Sequence, residues 1–225
     1  MVKAKKTSEK DVKESLDEPK RRAKLKTWIE LERYQKIGVV LLIIVLAGFF
    51  GWVWEFILAE AEGNFQHLYI KGGNLLPWIN IYAYGALVVM LTTCRLTKHP
   101  WLVFLVSAIS CGLLELFAGW VVFTVGHGTR YWDYTHAWFG WGNLNGFVCP
   151  VSITAFGLGA LVLMYIILPW CINLAMHMSR KAFLTLAITL FMLVAVDDLT
   201  NLTLKNLDLP TAHNFYQAIG WVFSS

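Results

Sequence analysis

The chain has little charge, and the charge that it has lies mostly at one end. Only 15% of the 225 residues are Asp, Glu, Lys or Arg, whereas soluble domains carry about 25%. Hydrophobic residues make up 57%, and the mean hydropathy is +0.54. Residues 1–36 contain 12 of the 19 basic and 7 of the 15 acidic residues. This composition excludes an ordinary soluble domain, and the basic excess belongs to a tail rather than to a nucleic-acid-binding surface.

The sequence also lacks the common motifs of catalysis and cofactor binding. It contains no P-loop, no GxSxG, no HExxH and no CxxC, and no two of its six histidines are three or four residues apart. These absences give no sign of a metal site, an ATP site or a cofactor. The four cysteines are expected to be buried, inert thiols. We therefore expect a membrane component rather than an enzyme.

The sequence does contain several long apolar segments. About 20 apolar residues span a bilayer as a helix, and five segments qualify within a bundle that covers residues 27–204. They run over about 37–59, 78–94, 101–125, 147–170 and 182–204. The sequence predicts an all-α, polytopic membrane bundle. Residues 1–26 are predicted to be a disordered basic tail, and residues 205–225 a C-terminal segment outside the membrane.

The flanking charges predict the orientation of these segments. The tail and the loops on its side hold 16 Lys and Arg residues, and the loops on the other side hold 3. Positive residues favour the cytoplasmic side. We expect a multi-pass protein of the inner (cytoplasmic) membrane with a cytoplasmic N-terminus and an external C-terminus.

Three of the apolar runs carry acidic side chains near the same predicted membrane face. They are Glu55, Glu115 and the pair Asp197 and Asp198. Acids in hydrocarbon are costly and are functional candidates by default, so one hypothesis is that they converge on a polar cavity. The alternative is that they only pack helices, neutralised by protonation or by Arg130. Gly51 and Gly119 lie near two of them and are predicted to let helices approach closely.

An aromatic loop between the third and fourth segments carries the other candidates. Arg130, Trp132, Asp133 and Tyr134 lie within five residues of each other. Trp and Tyr are typical of a membrane interface, but a belt of aromatics does not require an adjacent Arg and Asp. Those two residues can brace the loop or bind the head group of a ligand. Gly146 is predicted to be a packing glycine in the turn that leads into the fourth segment.

Several patterns together resemble the putative ABC-transporter permease family, type IV, also called CmpB-like. The resemblance covers about Phe49 to Pro169. The matching residues are Gly51, Trp52 and Glu55 of a Gly-Trp-x-x-Glu pattern; Ile81, Tyr82 and Gly85 of Ile-Tyr-x-x-Gly; Glu115 and Gly119 of Glu-x-x-x-Gly; and Arg130 to Tyr134 of the Arg-Tyr-Trp-Asp-Tyr signature. A later Asn-x-x-Gly-x-x-Cys stretch is met in part, by Gly146 and Cys149.

The chain departs from the family pattern at three places. Phe123 stands where the family has a second acid, Phe147 stands where it has a basic residue, and residues 75–80 lack the usual Gly-Pro. The first two departures imply a cavity with less charge than in typical members.

The resemblance implies a permease-like component of an ABC-type transport system, embedded in the lipid bilayer, with an ATPase and other membrane subunits as partners. Glu55, Glu115, Arg130, Trp132, Asp133, Tyr134 and Asp197 are the expected cavity or substrate-binding residues. Two other functions stay open: a membrane-embedded enzyme acting on a lipid or isoprenoid head group, and a structural or regulatory membrane partner. Homo-oligomer formation also stays open. The short loops at 95–100 and 179–181 favour a small interface with any ATPase.

Overall fold

The structure is a computed structural model that describes residues 28–61, 74–128, 130, 132–135 and 140–219. The predicted disordered tail, residues 1–26, lies outside the described residues. Seven α-helices form the described part: α1 (Arg33–Ala61), α2 (Asn80–Thr93), α3 (Pro100–Val125), α4 (Pro150–Val162), α5 (Leu168–His177), α6 (Arg180–Asn206) and α7 (Ala212–Ala218). The predicted fold class, an all-α bundle with membrane-spanning helices, is confirmed.

Four helical segments in the described residues are long and apolar enough to cross a membrane: Arg33–Leu58, Pro100–Val125, Pro150–His177 and Arg180–Asn206. α2 is shorter, with 14 residues that cover only about 21 Å at 1.5 Å per residue. A hydrocarbon core is about 30 Å thick, so residues 74–79 before α2 have to supply part of the crossing if this segment spans.

The third of these segments differs from the predicted 147–170 at both ends. Residues 147–149 belong to a turn, closed where Leu144 N–H donates to Val148 O at 2.9 Å, and the helix begins at Pro150. Pro169 does not end the helix. It lies in the first turn of α5, directly after a π-helical turn (Leu163–Ile167) in which Leu168 N–H donates to Leu163 O. The wider turn accommodates a proline that cannot donate to the carbonyl four residues earlier.

The bundle is organised around α1, which packs against α2, α5 and α6. α3 packs against α2 and α4. Because α4 packs on α3 while α5 packs on α1, the continuous α4–α5 segment crosses the bundle obliquely. The loop between α3 and α4, the end of α1 and the start of α2 all lie at one membrane face, here called the loop face.

Glycines allow aromatic side chains to pack closely against α1 and α3 near the loop face. A Cβ atom added at Gly51 of α1 would overlap the ring of Tyr82 at the start of α2. A Cβ at Gly119 of α3 would lie 2.9 Å from Cδ1 of Phe147, which precedes α4. An aromatic side chain therefore packs directly on each of these two glycines, and each glycine lies one helical turn from an acidic residue.

We expect Gly51→Ala to destabilise the protein by about 1–3 kcal/mol, because Tyr82 has to move and the packing of α1 on α2 is lost. Gly159→Ala is the matched control, since nothing lies within 4 Å of a Cβ built there. The thermal unfolding midpoints of the two variants in mild detergent test this expectation. Equal midpoints for the two variants would contradict the packing role of Gly51.

Candidate functional site

The carboxylate of Glu115 is the centre of the site. Glu115 lies on the face of α3 that also carries the buried Ser107 and Cys111, and only 6% of it is exposed. Its two oxygens each accept a hydrogen bond, Oε1 from the Tyr134 hydroxyl and Oε2 from the Ser152 hydroxyl, both at 2.8 Å. A buried acid thus receives a donor on each oxygen, as an apolar environment demands.

Ser152 reaches Glu115 because of the way in which α4 begins. Cys149 is extended, and the Ser152 N–H donates to its Sγ at 3.3 Å while the Cys149 N–H donates to Ser152 Oγ at 3.2 Å. This reciprocal cap fixes the first turn of the helix. Ser152 Oγ is also 2.9 Å from the Cys149 carbonyl oxygen, but a carboxylate is the stronger acceptor for its proton.

Tyr134 is held in place by the aromatic loop. Its backbone N–H donates to Gly146 O at 3.0 Å, and the indole N–H of Trp132 donates to Phe147 O at 2.8 Å. Burial and the neighbouring Glu115 raise the pKa of Tyr134 well above its usual value, and the charge of Glu55 adds to this. The phenol therefore stays protonated and remains a donor to Glu115.

Glu55 forms a second carboxylate–tyrosine pair at the same membrane face. Its Oε1 accepts a hydrogen bond of 2.6 Å from the hydroxyl of Tyr82. Glu55 also acts electrostatically on Tyr134, the tyrosine that donates to Glu115, so we group the two pairs together. We call Glu55, Tyr82, Glu115, Tyr134 and Ser152 the carboxylate cluster.

Arg130 and Asp133 do not belong to the carboxylate cluster but build the loop that covers it. Arg130 Nη1 donates to Asn145 O at 2.7 Å and lies 3.7 Å from Asp133 Oδ1, which accepts from the Thr135 N–H at 2.9 Å. Gly146 was predicted to be a packing glycine in the turn before the fourth segment. It lies in a turn with φ of 74°, where a Cβ would overlap Asp133 and crowd Arg130.

Asp197 is also outside the carboxylate cluster. Its Oδ1 and Oδ2 accept hydrogen bonds from the backbone N–H groups of Leu75 and Leu76, at 3.0 and 2.7 Å. The amide of Asn201 donates to Oδ1 at 2.8 Å, and Asp198 Oδ1 accepts from Asn74 at 3.4 Å. The convergence of all three acid positions stays a prediction, since these contacts join Asp197 to the segment before α2 and to its own helix. Asp197 ties the segment before α2 to α6, because that segment has backbone N–H groups with no helical partner.

The sequence prediction missed Tyr82 and Ser152 as site residues. Both are polar side chains within the first turn of a helix that begins at the loop face, which is the signal that could have indicated them. Chemically, two carboxylates with tyrosine donors inside membrane-spanning helices can take up protons or bind a cation.

We expect Tyr134→Phe to lower the free energy of unfolding by about 1–2 kcal/mol, because Oε1 of Glu115 loses a donor while it stays buried. Tyr84→Phe is the matched control, since Tyr84 is exposed on α2. Unfolding in mixed detergent micelles provides the measurement. If the two variants lose equal stability, the Tyr134–Glu115 bond is not what holds the loop on the bundle.

Comparison with known proteins places this arrangement in a family. No curated protein and no solved structure matches the chain. Residues 42–202 match the family described as "Putative ABC-transporter type IV". The matched range includes the acids of α1, α3 and α6, the aromatic loop and the start of α4. Since the match covers well over half of the 225 residues, the chain belongs to this family of multi-pass membrane proteins related to transport.

Proposed function

We propose that the chain is a permease-like subunit of an ABC-type transport system and that the carboxylate cluster lines its polar cavity. The observation that carries the proposal is the pair of carboxylates, Glu55 and Glu115, each of which accepts a hydrogen bond from a tyrosine near the loop face. Such a group is costly in a membrane and is typical of a path for polar solutes or protons.

The geometry also supports a division of labour around the cavity. Glu55 and Glu115 contribute the charge, while Tyr82 and Tyr134 keep each carboxylate in one orientation. The loop with Arg130, Trp132 and Asp133 forms the outer mouth. In this proposal the loop face is external, the N-terminus is cytoplasmic, and the short loops at 95–100 and 179–181 face the ATPase in the cytoplasmic membrane.

The first test is whether an ATPase binds the chain. We expect that the tagged chain, solubilised from its native membrane in a gentle detergent, carries a nucleotide-binding subunit in near-stoichiometric amount, measured by quantitative mass spectrometry. A chain that is recovered alone or only with copies of itself would contradict the ABC-type assignment. That outcome would favour a membrane-embedded enzyme that acts without a partner.

The second test uses the complex recovered in the first. Glu115→Gln should assemble normally but reduce the ATP turnover of the reconstituted complex at least about tenfold, because the charge in the cavity is lost. Glu32→Gln is the control, since Glu32 is exposed before α1. Membrane level and unfolding midpoint are measured for both variants. Normal turnover by the Glu115 variant would contradict a functional role of the carboxylate cluster.

A further inference from the structure

Beside the carboxylate cluster, the loop face carries an open depression of about 540 Å³ between the end of α3 and the aromatic loop. Trp120, Phe123 and Phe147 form its apolar wall, and Arg130 and Asn145 provide its polar side. We call this depression the arginine groove. None of its lining residues is acidic, so its charge character differs from that of the carboxylate cluster.

The guanidinium group of Arg130 is held rigidly in this groove. Its Cζ lies 5.0 Å from the ring centroid of Phe123 and 4.7 Å from that of Phe147. Within the described residues, the guanidinium group contacts two protein oxygen atoms, and both contacts are made by Nη1. This nitrogen donates to Asn145 O at 2.7 Å and lies 3.7 Å from Asp133 Oδ1. Two aromatic contacts and one strong hydrogen bond fix the plane of the group.

The edge of the guanidinium group that is formed by Nε and Nη2 carries further hydrogen-bond donors. Within the part of the chain that the structure describes, Nε and Nη2 of Arg130 make no hydrogen bond. These two nitrogens form a parallel pair of N–H donors that matches two oxygens of a phosphate or carboxylate. Asp133 faces Nη1 rather than that edge, since its Oδ1 lies 3.7 Å from Nη1 and accepts hydrogen bonds from the Thr135 N–H and hydroxyl.

The apolar wall of the arginine groove indicates which kind of molecule would carry the phosphate or carboxylate group. α3 ends at Val125, so the groove lies where the hydrocarbon layer meets the head groups. Trp120 is 54% exposed, and the exposed Phe117 lies one turn further into the membrane, with 6.2 Å between the two ring centroids. An apolar chain can follow these rings along α3 from the groove into the bilayer.

We propose that the arginine groove binds the phosphate of an anionic phospholipid. Nε and Nη2 of Arg130 donate to two phosphate oxygens, and an acyl chain lies along Trp120 and Phe117. The site is separate from the carboxylate cluster and does not depend on the chain being a permease. It assigns to Arg130, beyond its role as a brace, the recognition of a lipid at the loop face.

Native mass spectrometry of the full chain in a non-ionic detergent tests this proposal. The probes are phosphatidylglycerol, glycerol phosphate and diacylglycerol, which separate the lipid phosphate from a free phosphate and from an acyl chain alone. We expect phosphatidylglycerol to bind the wild-type chain. It should bind Arg130→Gln about tenfold more weakly, because the parallel pair of N–H donors is lost. Arg130→Lys keeps the positive charge but not the parallel pair of N–H donors, so it should also bind phosphatidylglycerol more weakly than the wild type does.

Arg180→Gln is the matched control, because Arg180 also lies over an aromatic ring, that of Tyr34 at 5.0 Å, and is at the opposite membrane face. It should bind the lipid as the wild type does. Trp120→Ala changes only an exposed wall residue and should weaken lipid binding even if Arg130→Gln fails to fold. Equal lipid binding by wild type, Arg130→Lys and Trp120→Ala would overturn the proposal. Equal affinity for glycerol phosphate would assign the groove to a soluble anion instead of a lipid.

Discussion

The carboxylate of Glu115 lies inside a membrane-spanning helix, with 6% of the residue exposed, and its burial constrains much of the loop face. An acid in that position is costly unless hydrogen-bond donors reach both oxygens. Tyr134 and Ser152 are those donors, and they come from two different parts of the chain. The aromatic loop therefore has to lie on the bundle, and α4 has to begin at Pro150, for Glu115 to be satisfied.

The neighbouring features depend on the same arrangement. The loop that delivers Tyr134 is closed by Arg130 and Gly146, so the groove that we assign to a lipid phosphate exists only while the loop is docked. Gly51 brings Tyr82 close to α1, and this tyrosine donates to Glu55. A membrane face with two tyrosine-bound carboxylates and an adjacent fixed arginine thus presents an acidic site and a basic site within one small region.

Hydropathy and intramembrane charge predicted the helical bundle and placed Glu55, Glu115 and Tyr134 among the candidate residues, because apolar length and buried acids are visible in a sequence. Ser152 was not predictable in the same way, since its position depends on a cysteine that acts as a helix cap. The contacts of Asp197 with the backbone of Leu75 and Leu76 were not predictable, because depth in the membrane does not specify which face of α6 meets which neighbour. The predicted fourth segment ended at about residue 170, whereas a π-helical turn carries the helix past Pro169.

The central claim is that Glu55 and Glu115 form one site rather than two separate packing contacts. A double-mutant cycle of Glu55→Gln and Glu115→Gln, measured by the free energy of unfolding in mixed micelles, tests it most directly. We predict a coupling energy on the order of 0.5–3 kcal/mol, because two acidic groups in one site affect each other. Additive effects of the two substitutions would contradict it and would leave each acid as an independent packing group.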